Sequence, residues 1–258
     1  MSNENISINV CNLSLNLTAR GLHPEKSQDV TASVGGYVSK NTSTSSIIHA
    51  LDGINFTVAR GEALAIIGRN GSGKSTLMRV LAGIYPATSG NYRVDGRVTT
   101  LFSNQIGANY NATGVENIKL VGMIMGLTQP RIDTLIEDVE QFSELGEYLD
   151  MPIRIYSSGM RARLGFGIAT GVDPDILLID EVFGTGDQYF KAKARTRMQQ
   201  FLSQAGTTLM ASHSIELLRE FCSSALWLDK GRVKMMGPIN EVQKSYAQSR
   251  LEKGSNGN

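Results

Sequence analysis

Long apolar runs are missing from this chain. Nowhere do 18 or more apolar residues follow one another, so no segment is predicted to cross a bilayer as a helix. Cysteine is scarce: Cys11 and Cys222 lie far apart and have no metal-like spacing. They read as buried or free thiols of a reducing compartment, not as a disulfide framework. An excess of one charge is missing too. Lys and Arg number 25, Asp and Glu 24, for a formal net charge of +1, which argues against nucleic acid as the main partner. Met1 to Asn5 is polar and no signal-peptide pattern follows it. The expectation is a cytoplasmic origin, with any work at a membrane done by docking on another protein. What is present is ordinary globular composition, 41% hydrophobic and 19% charged over 258 residues. That is enough for one large domain with a proper core.

Taken in order, Ile6, Ile8 and Val10, then Leu13, Leu15 and Leu17, alternate with polar residues. Period two predicts a half-buried strand or a bent pair. From about Gly21 to Ser46 the chain turns polar, which reads as a long loop. Strands are predicted over Ile47–Val58, over Ala63–Ile67, on both sides of Asp95-Gly96 as a hairpin, over Asp175–Asp180 and over Thr207–Ala211. A final hairpin is expected around Asp229-Lys230-Gly231. Helical spacing covers Thr76–Ala82, Val115–Met125, Arg131–Ser143, Met160–Thr170, Gln188–Ser203, Ile215–Phe221 and Glu241–Leu251. No internal repeat is visible. Strands alternating with helices predict an α/β core with a mostly parallel sheet.

Gly68-Arg69-Asn70-Gly71-Ser72-Gly73-Lys74-Ser75-Thr76 fits G-x-x-x-x-G-K-[ST], with a strand before it and a helix after it. The glycines let successive N–H groups face one point, and the helix end adds its unsatisfied donors. Lys74 is placed to reach terminal phosphates and Ser75 to ligate Mg²⁺. Asp180 closes an apolar strand, the place of a Mg²⁺-holding carboxylate, and Glu181 follows it, placed to polarise an attacking water. His213 ends another strand between two serines. Tyr156-Ser157-Ser158-Gly159-Met160 opens a helix with small residues, a second anion site.

In order and spacing these pieces resemble the nucleotide-binding subunit of an ABC transporter over roughly residues 50 to 245. Gly68–Thr76 is similar to the Walker A loop, Ile176–Asp180 to the Walker B strand, Ser157–Met160 to the signature and His213 to the switch histidine. Ser157 precedes Asp180 by 23 residues, and Asp180 precedes His213 by 33. Asp187 sits where the family's D-loop aspartate lies. The Q-loop glutamine is best placed at Gln105, in an atypical setting where it is equally read as a loop residue. Tyr37 and His49 are the candidates for the aromatic that stacks on adenine. The branch is set by departures: Tyr-Ser-Ser-Gly-Met in place of Leu-Ser-Gly-Gly-Gln, Thr113-Gly114-Val115-Glu116-Asn117-Ile118, and Asp180-Glu181-Val182-Phe183-Gly184-Thr185-Gly186-Asp187. These resemble exporters of bacterial polysaccharides: O-antigen, capsule and teichoic acid.

The resemblance implies a phosphate-loop ATPase core with an antiparallel β subdomain and an inserted α-helical subdomain. One ABC ATPase domain is expected over 1–248, with a polar insertion at about 21–46, the helical subdomain at about 112–170 and a disordered tail at 249–258. ATP and Mg²⁺ are implied as ligands. Gly68, Asn70, Gly71, Ser72, Gly73, Lys74, Ser75, Thr76 and Asp180 would hold the nucleotide, and Ser75, Gln105 and Asp180 the metal. Glu181 and His213 would be catalytic. Ser157, Ser158 and Gly159 would meet the ATP of a second copy in a head-to-tail dimer. A multi-helix membrane permease is the other implied partner, with the chain peripheral on the cytoplasmic face of the inner membrane. Leu120, Val121, Met123, Ile124 and Met125 either cradle a helix of that partner or belong to the core. Some O-antigen exporters carry a C-terminal carbohydrate-binding domain. Few residues follow the last predicted helix, so the expectation is that this domain is absent and the polysaccharide is not bound directly. The alternatives are a soluble ABC-type ATPase with a non-transport target, or an exporter of another substrate. A small-molecule kinase with the same loop would leave the signature and His213 unexplained.

Overall fold

Alternation in the first strand buries Ile8 and Val10, and beyond a register shift Leu13 and Leu15. The computed structural model of the chain describes residues 5–20, 35–42, 45–102, 109–172, 174–180, 188–204, 206–212 and 214–255. Two compact units divide it: Met1–Val98, Asp175–Asp180 and Gly206–Asn258, and then Thr99–Pro174 and Glu181–Ala205.

The first unit holds two sheets. One is antiparallel in the order β2 (Tyr37–Thr42), β3 (Ser45–Ala59), β1 (Ile6–Arg20), β5 (Ser89–Val94). β1 is a single strand whose register slips near Asn12, a residue with φ of 50°. In the other sheet, β4 (Ala63–Ile67) lies between β8 (Thr207–Ala211) and β9 (Ser224–Asp229), parallel to both. β7 (Ile176–Asp180) continues the parallel run beyond β8, and β10 (Arg232–Pro238) pairs antiparallel with β9. Leu64, Ala65, Ile66, Ile176, Leu177, Leu178, Leu209 and Met210 are all buried, the continuous apolar character of a strand covered on both faces. Helix α1 (Lys74–Leu81) buries Leu77, Met78, Val80 and Leu81. Cys222, at the end of the short helix Ile215–Phe221, is buried, and burial pushes its thiol up to about 12; Cys11 is exposed. Both cysteines are free.

Three expectations about this unit need correction. The polar stretch 21–46 is not all loop: Tyr37–Thr42 forms β2, and Ser45 and Ser46 begin β3. Among the described residues β2 pairs with β3 alone, and an edge strand needs little apolar character to hold its ladder. The Asp95-Gly96 turn does not close a hairpin, because the partner of β5 is β1. Instead Asp95 N–H donates to the carbonyl of Ser7, and Arg97 N–H donates to Asp175 Oδ2 at 2.8 Å. A Cβ on Gly96 would stand 2.6 Å from that of Asp175. The turn therefore leads the chain out of the antiparallel sheet, and Val98–Phe102 follows as β6. Lastly, the final helix spans Ile239–Ser255 and passes the point where the tail was expected. Gln248, Arg250, Leu251, Glu252 and Lys253 are good helix formers that carry it on.

The second unit is helical: α2 (Gly114–Ile124), α3 (Gln129–Ser143), α4 (Ser158–Thr170) and α5 (Gln188–Gln204). It is wider than the expected 112–170, since α5 belongs to it. Arg197 of α5 forks onto the carboxylate of Asp138 in α3, and its Nε donates to Thr170 Oγ1 at 2.6 Å. The same guanidinium lies 4.6 Å from the ring centre of Phe142, which contacts Phe166 and Phe190. A capping box starts α2: Thr113 Oγ1 accepts from Glu116 N–H, and the Glu116 carboxylate accepts from Thr113 N–H. One turn later Asn117, fully buried, accepts from Asn109 N–H and donates to the carbonyls of Asn109, Ala112 and Thr113. Truncating Asn117 to alanine removes these bonds from a fully buried side chain; the three carbonyls keep backbone donors from Ala112, Ile153 and Asn117, and the Asn109 N–H loses its acceptor. The expected cost is about 1–3 kcal/mol, read as a lower urea midpoint at unchanged m-value. An unchanged midpoint would show that water replaces the amide.

Candidate functional site

The apolar strand β4 delivers Ile67 to the edge of its sheet, and the chain leaves it in the loop Gly68–Gly73. Gly73 caps α1 with φ of 102°, a backbone region that costs a side-chain-bearing residue dearly. The loop folds on itself through Ser72 N–H donating to Arg69 O at 3.1 Å. Two of its carbonyls are engaged from outside: Gly71 O accepts from Gly36 N–H at 3.0 Å, and Ser72 O from Gly231 N–H at 2.9 Å. Lys74 is buried under the loop, and its ammonium donates to Gly68 O at 2.9 Å and Arg69 O at 3.1 Å. Asn70 is exposed, Gly71 and Ser75 are half-buried, and Thr76 is buried.

The hydroxyl of Ser72 is the informative atom. Ser72 is 3% exposed, and its Oγ has no hydrogen-bond partner among the described residues. A buried hydroxyl left so costs free energy. An anion held by the loop amides and Lys74 would engage it. The residues present thus suit a polyphosphate.

Register places Asp180 on the same sheet edge. Ile66 is level with Ala211, and Ala211 with Asp180. Two strand spacings, roughly 10 Å, thus separate the end of β7 from the residue two before Gly68. Asp180 and Ser75 are half-buried oxygen donors at this edge, a donor type suited to Mg²⁺. Among the described residues no cluster of three His, Cys, Asp or Glu forms a protein-only metal cage. Glu181, His213, Gln105 and Asp187 lie outside the described residues.

In the second unit Ser157 is the N-cap of α4, its Oγ accepting from Met160 N–H at 3.2 Å. Ser157 and Ser158 are exposed and Gly159 half-buried. Behind this cap the Arg161 guanidinium donates to Tyr156 O at 2.6 Å, and Tyr156 O–H donates to Tyr148 O. Burial pushes the Tyr156 phenol above its usual value, with the Asp150 charge adding to it. A shallow cavity of about 370 Å³ opens beside the cap, lined by Glu144, Tyr148, Ser157, Gly159, Met160 and Arg163 among others. The cap thus presents N–H donors and a hydroxyl at a concave, exposed surface.

Tyr37 and His49 stack on each other with ring centres 4.6 Å apart. Both His49 nitrogens are engaged, by Ser39 Oγ at 2.7 Å and Asn16 Oδ1 at 2.9 Å. Tyr37 O–H donates to Asp52 Oδ2 at 2.9 Å. Sequence reading missed the outside donors Gly36 and Gly231 altogether. They act through backbone atoms, so residue type gives no signal beyond the glycines themselves.

Comparison with known proteins agrees with this arrangement. A family model described as ABC transporter matches residues 51–184. An O-antigen export system ATP-binding protein of Klebsiella pneumoniae is 40% identical over 200 residues, 78% of this chain and 81% of that protein. Its counterpart from Myxococcus xanthus is 42% identical over 204 residues, 79% of this chain and 47% of that protein. A teichoic acids export ATP-binding protein of Bacillus anthracis is 41% identical over 77% of this chain and 36% of its own length. The chain thus spans about half, or less, of the length of the Myxococcus and Bacillus relatives. Among solved structures, an ATP-binding subunit of an ABC transporter matches with a TM-score of 0.71 at 22% identity, covering 93% of both chains. A dimeric ATP-binding cassette in a post-hydrolysis state, with ADP and phosphate bound, matches at 0.68 and 18%, covering 90% of this chain and 98% of that one. The fold is that of these phosphate-loop ATPases.

Proposed function

This chain belongs to the ABC transporter family, and from that membership we propose that it is the ATP-hydrolysing subunit of an exporter that moves a lipid-linked polysaccharide across the bacterial cytoplasmic membrane. The observation that carries the nucleotide half is the loop over Lys74 with its buried Ser72 hydroxyl, which has no hydrogen-bond partner among the described residues. The polysaccharide half rests on relatives named for O-antigen and teichoic acid export, about 40% identical over nearly four fifths of the chain.

In this reading Gly68, Asn70, Gly71, Ser72, Gly73, Lys74, Ser75 and Thr76 hold the triphosphate. Lys74 trades its carbonyl partners for phosphate oxygens. Ser75 and Asp180, with Gln105, hold Mg²⁺, which supplies charge neutralisation at the phosphates. Glu181 takes the proton of the attacking water, and His213 donates to the γ-phosphate. Ser157, Ser158 and Gly159 of a second copy close the site from the other side, and Asp187 lies at that junction. ATP then bridges two copies, and hydrolysis removes the bridge, a two-state element biased by ligand.

No helix of the described residues is long and apolar enough to cross a membrane; in this reading the work is passed to a permease while this chain stays peripheral on the cytoplasmic face. For the apolar series on α2 the burial pattern separates two roles. Val121 is buried in the core of the second unit, whereas Met123 is 60% and Ile124 72% exposed. Those two are the residues we assign to permease contact.

Placing arginine at Ser157 tests transport and the shared site together. Purified protein carrying Ser157→Arg is expected to bind ATP as the wild type does, because its own phosphate loop is untouched. Cells that depend on it should lose surface polymer and retain the lipid-linked form inside. Normal surface polymer would overturn the export reading. Weakened ATP binding by the isolated monomer would instead place Ser157 in its own copy's site.

A further inference from the structure

The two carbonyls that the phosphate loop turns outward lead to one carboxylate. Gly71 O accepts from Gly36 N–H, and the next residue, Tyr37, donates its O–H to Asp52 Oδ2 at 2.9 Å. Ser72 O accepts from Gly231 N–H, and the next residue, Arg232, reaches the same Asp52 Oδ2 through Nε at 2.8 Å and Nη2 at 2.6 Å. Asp52 N–H closes the circuit by donating to Gly231 O at 2.8 Å. The Arg232 guanidinium also lies 5.6 Å from the ring centre of Tyr37.

We propose that Asp52, with Arg232 and Tyr37, is a clasp that positions the phosphate loop for its anion. The physical reason is peptide planarity. A trans peptide carries its N–H opposite its C=O. Holding Ser72 O on Gly231 therefore aims the Gly73 N–H away from Gly231 and toward the loop's concave side. The clasp fixes that peptide plane before any ligand arrives, so the ordering cost is met on folding and not on binding.

Packing leaves the clasp little slack. A Cβ at Gly36 would stand 1.7 Å from His49 O, and one at Gly35 would stand 2.6 Å from Gly73 N and Cα. Charge works the same way. The hydrogen bond from Arg232, then that from Tyr37, holds the Asp52 carboxyl below its usual range, so the carboxylate is ionised at neutral pH. Asp52 is at most partly buried and Arg232 is largely exposed at the tip. An isolated pair so placed would be worth little. Its effect here comes from where the two neighbouring backbones are led. Asp52, Arg232 and Tyr37 are positioning residues, since none is within the phosphate loop. The consequence for ATP rests on the function proposed above, whereas the order imposed on the loop does not.

Two measurements on Asp52→Ala, Arg232→Ala and the double variant test the clasp. Amide hydrogen exchange without nucleotide should be faster in peptides covering residues 68–76 than in the wild type, with exchange in the second unit unchanged. The KM for ATP should rise about 3- to 10-fold while kcat stays within about twofold, and the double variant should be no worse than the worse single one, as members of one circuit. Arg232→Lys should not rescue, because an ammonium cannot make the forked contact. Arg232 is exposed enough for its variants to fold, and Tyr37→Phe removes one bond without loss of volume. Folded variants with wild-type loop exchange and wild-type KM would overturn the proposal. Faster loop exchange in a protein whose wild type does not hydrolyse ATP would uphold the clasp and sink the ATPase reading instead.

Discussion

Lys74→Ala is expected to lower ATP turnover by at least about 100-fold, with the nucleotide-free protein still folded. The buried ammonium sits under the loop, 2.9 Å from Gly68 O and 3.1 Å from Arg69 O. In the proposed function it would stand beside the phosphoryl group that gains charge during transfer. Removing one preorganised donor of this kind from a water-poor site typically costs about 10²–10³ in rate. The fold should tolerate the change. Alanine is the best helix former and the position opens α1, while the two carbonyls it abandons lie in a loop that water can reach. Lys74→Arg should not restore activity: a planar fork is larger than an ammonium, and the site is 8% exposed. Steady-state phosphate release and a thermal melt without nucleotide decide the matter. Wild-type turnover in Lys74→Ala would remove the loop from the catalytic site.

Glu181→Gln should keep ATP binding and lose about 10²–10⁴-fold in turnover, the usual size of a general-base contribution. Asp180 ends β7 level with Ala211 of β8, which is level with Ile66 just before the phosphate loop. The strand that Asp180 closes therefore ends at the sheet edge where the loop begins. Glutamine keeps the size and hydrogen-bonding shape of glutamate but cannot accept the water's proton. If ATP bridges two copies, stopping hydrolysis should trap the bridged form. Light scattering should then report an ATP-dependent dimer that the wild type populates only transiently. A variant that remains monomeric with saturating ATP would count against the bridge, and one that hydrolyses within about tenfold of wild type would remove Glu181 as the base.

Legibility followed the range of the interaction. The strand, glycine loop and helix around Lys74 are local, and Ala63–Ile67 appears as a strand where the apolar run placed it. The Ser157 cap was readable because a serine before a helix has a local chemical reason to be there, and the Asp229-Lys230-Gly231 hairpin because its turn chemistry is local as well. Tyr37–Thr42 was hidden because an edge strand among polar residues lacks the alternation that betrays a half-buried one. The Asp95-Gly96 turn misled for a sharper reason. The dipeptide marks a change of direction, but which strand β5 pairs with is decided by β1, distant in sequence. The clasp on the loop was out of reach altogether. Positions 36, 52 and 231 come from three segments joined largely by backbone bonds, and such bonds leave no pattern of residue types.

The placing of β4 has a consequence for the order in which the chain is made. Its ladder partners are residues 208–211 and 224–227, so a ribosome that has just released the phosphate loop has made neither neighbour of the strand that carries it. Ala63–Ile67 must wait, apolar and unpaired, while the helical segments emerge. Pairing of such sequence separation is slow and open to aggregation. Synthesis thus delivers the helical unit before the nucleotide loop can be seated, and a chain interrupted ahead of Thr207 is left with its most hydrophobic strand uncovered.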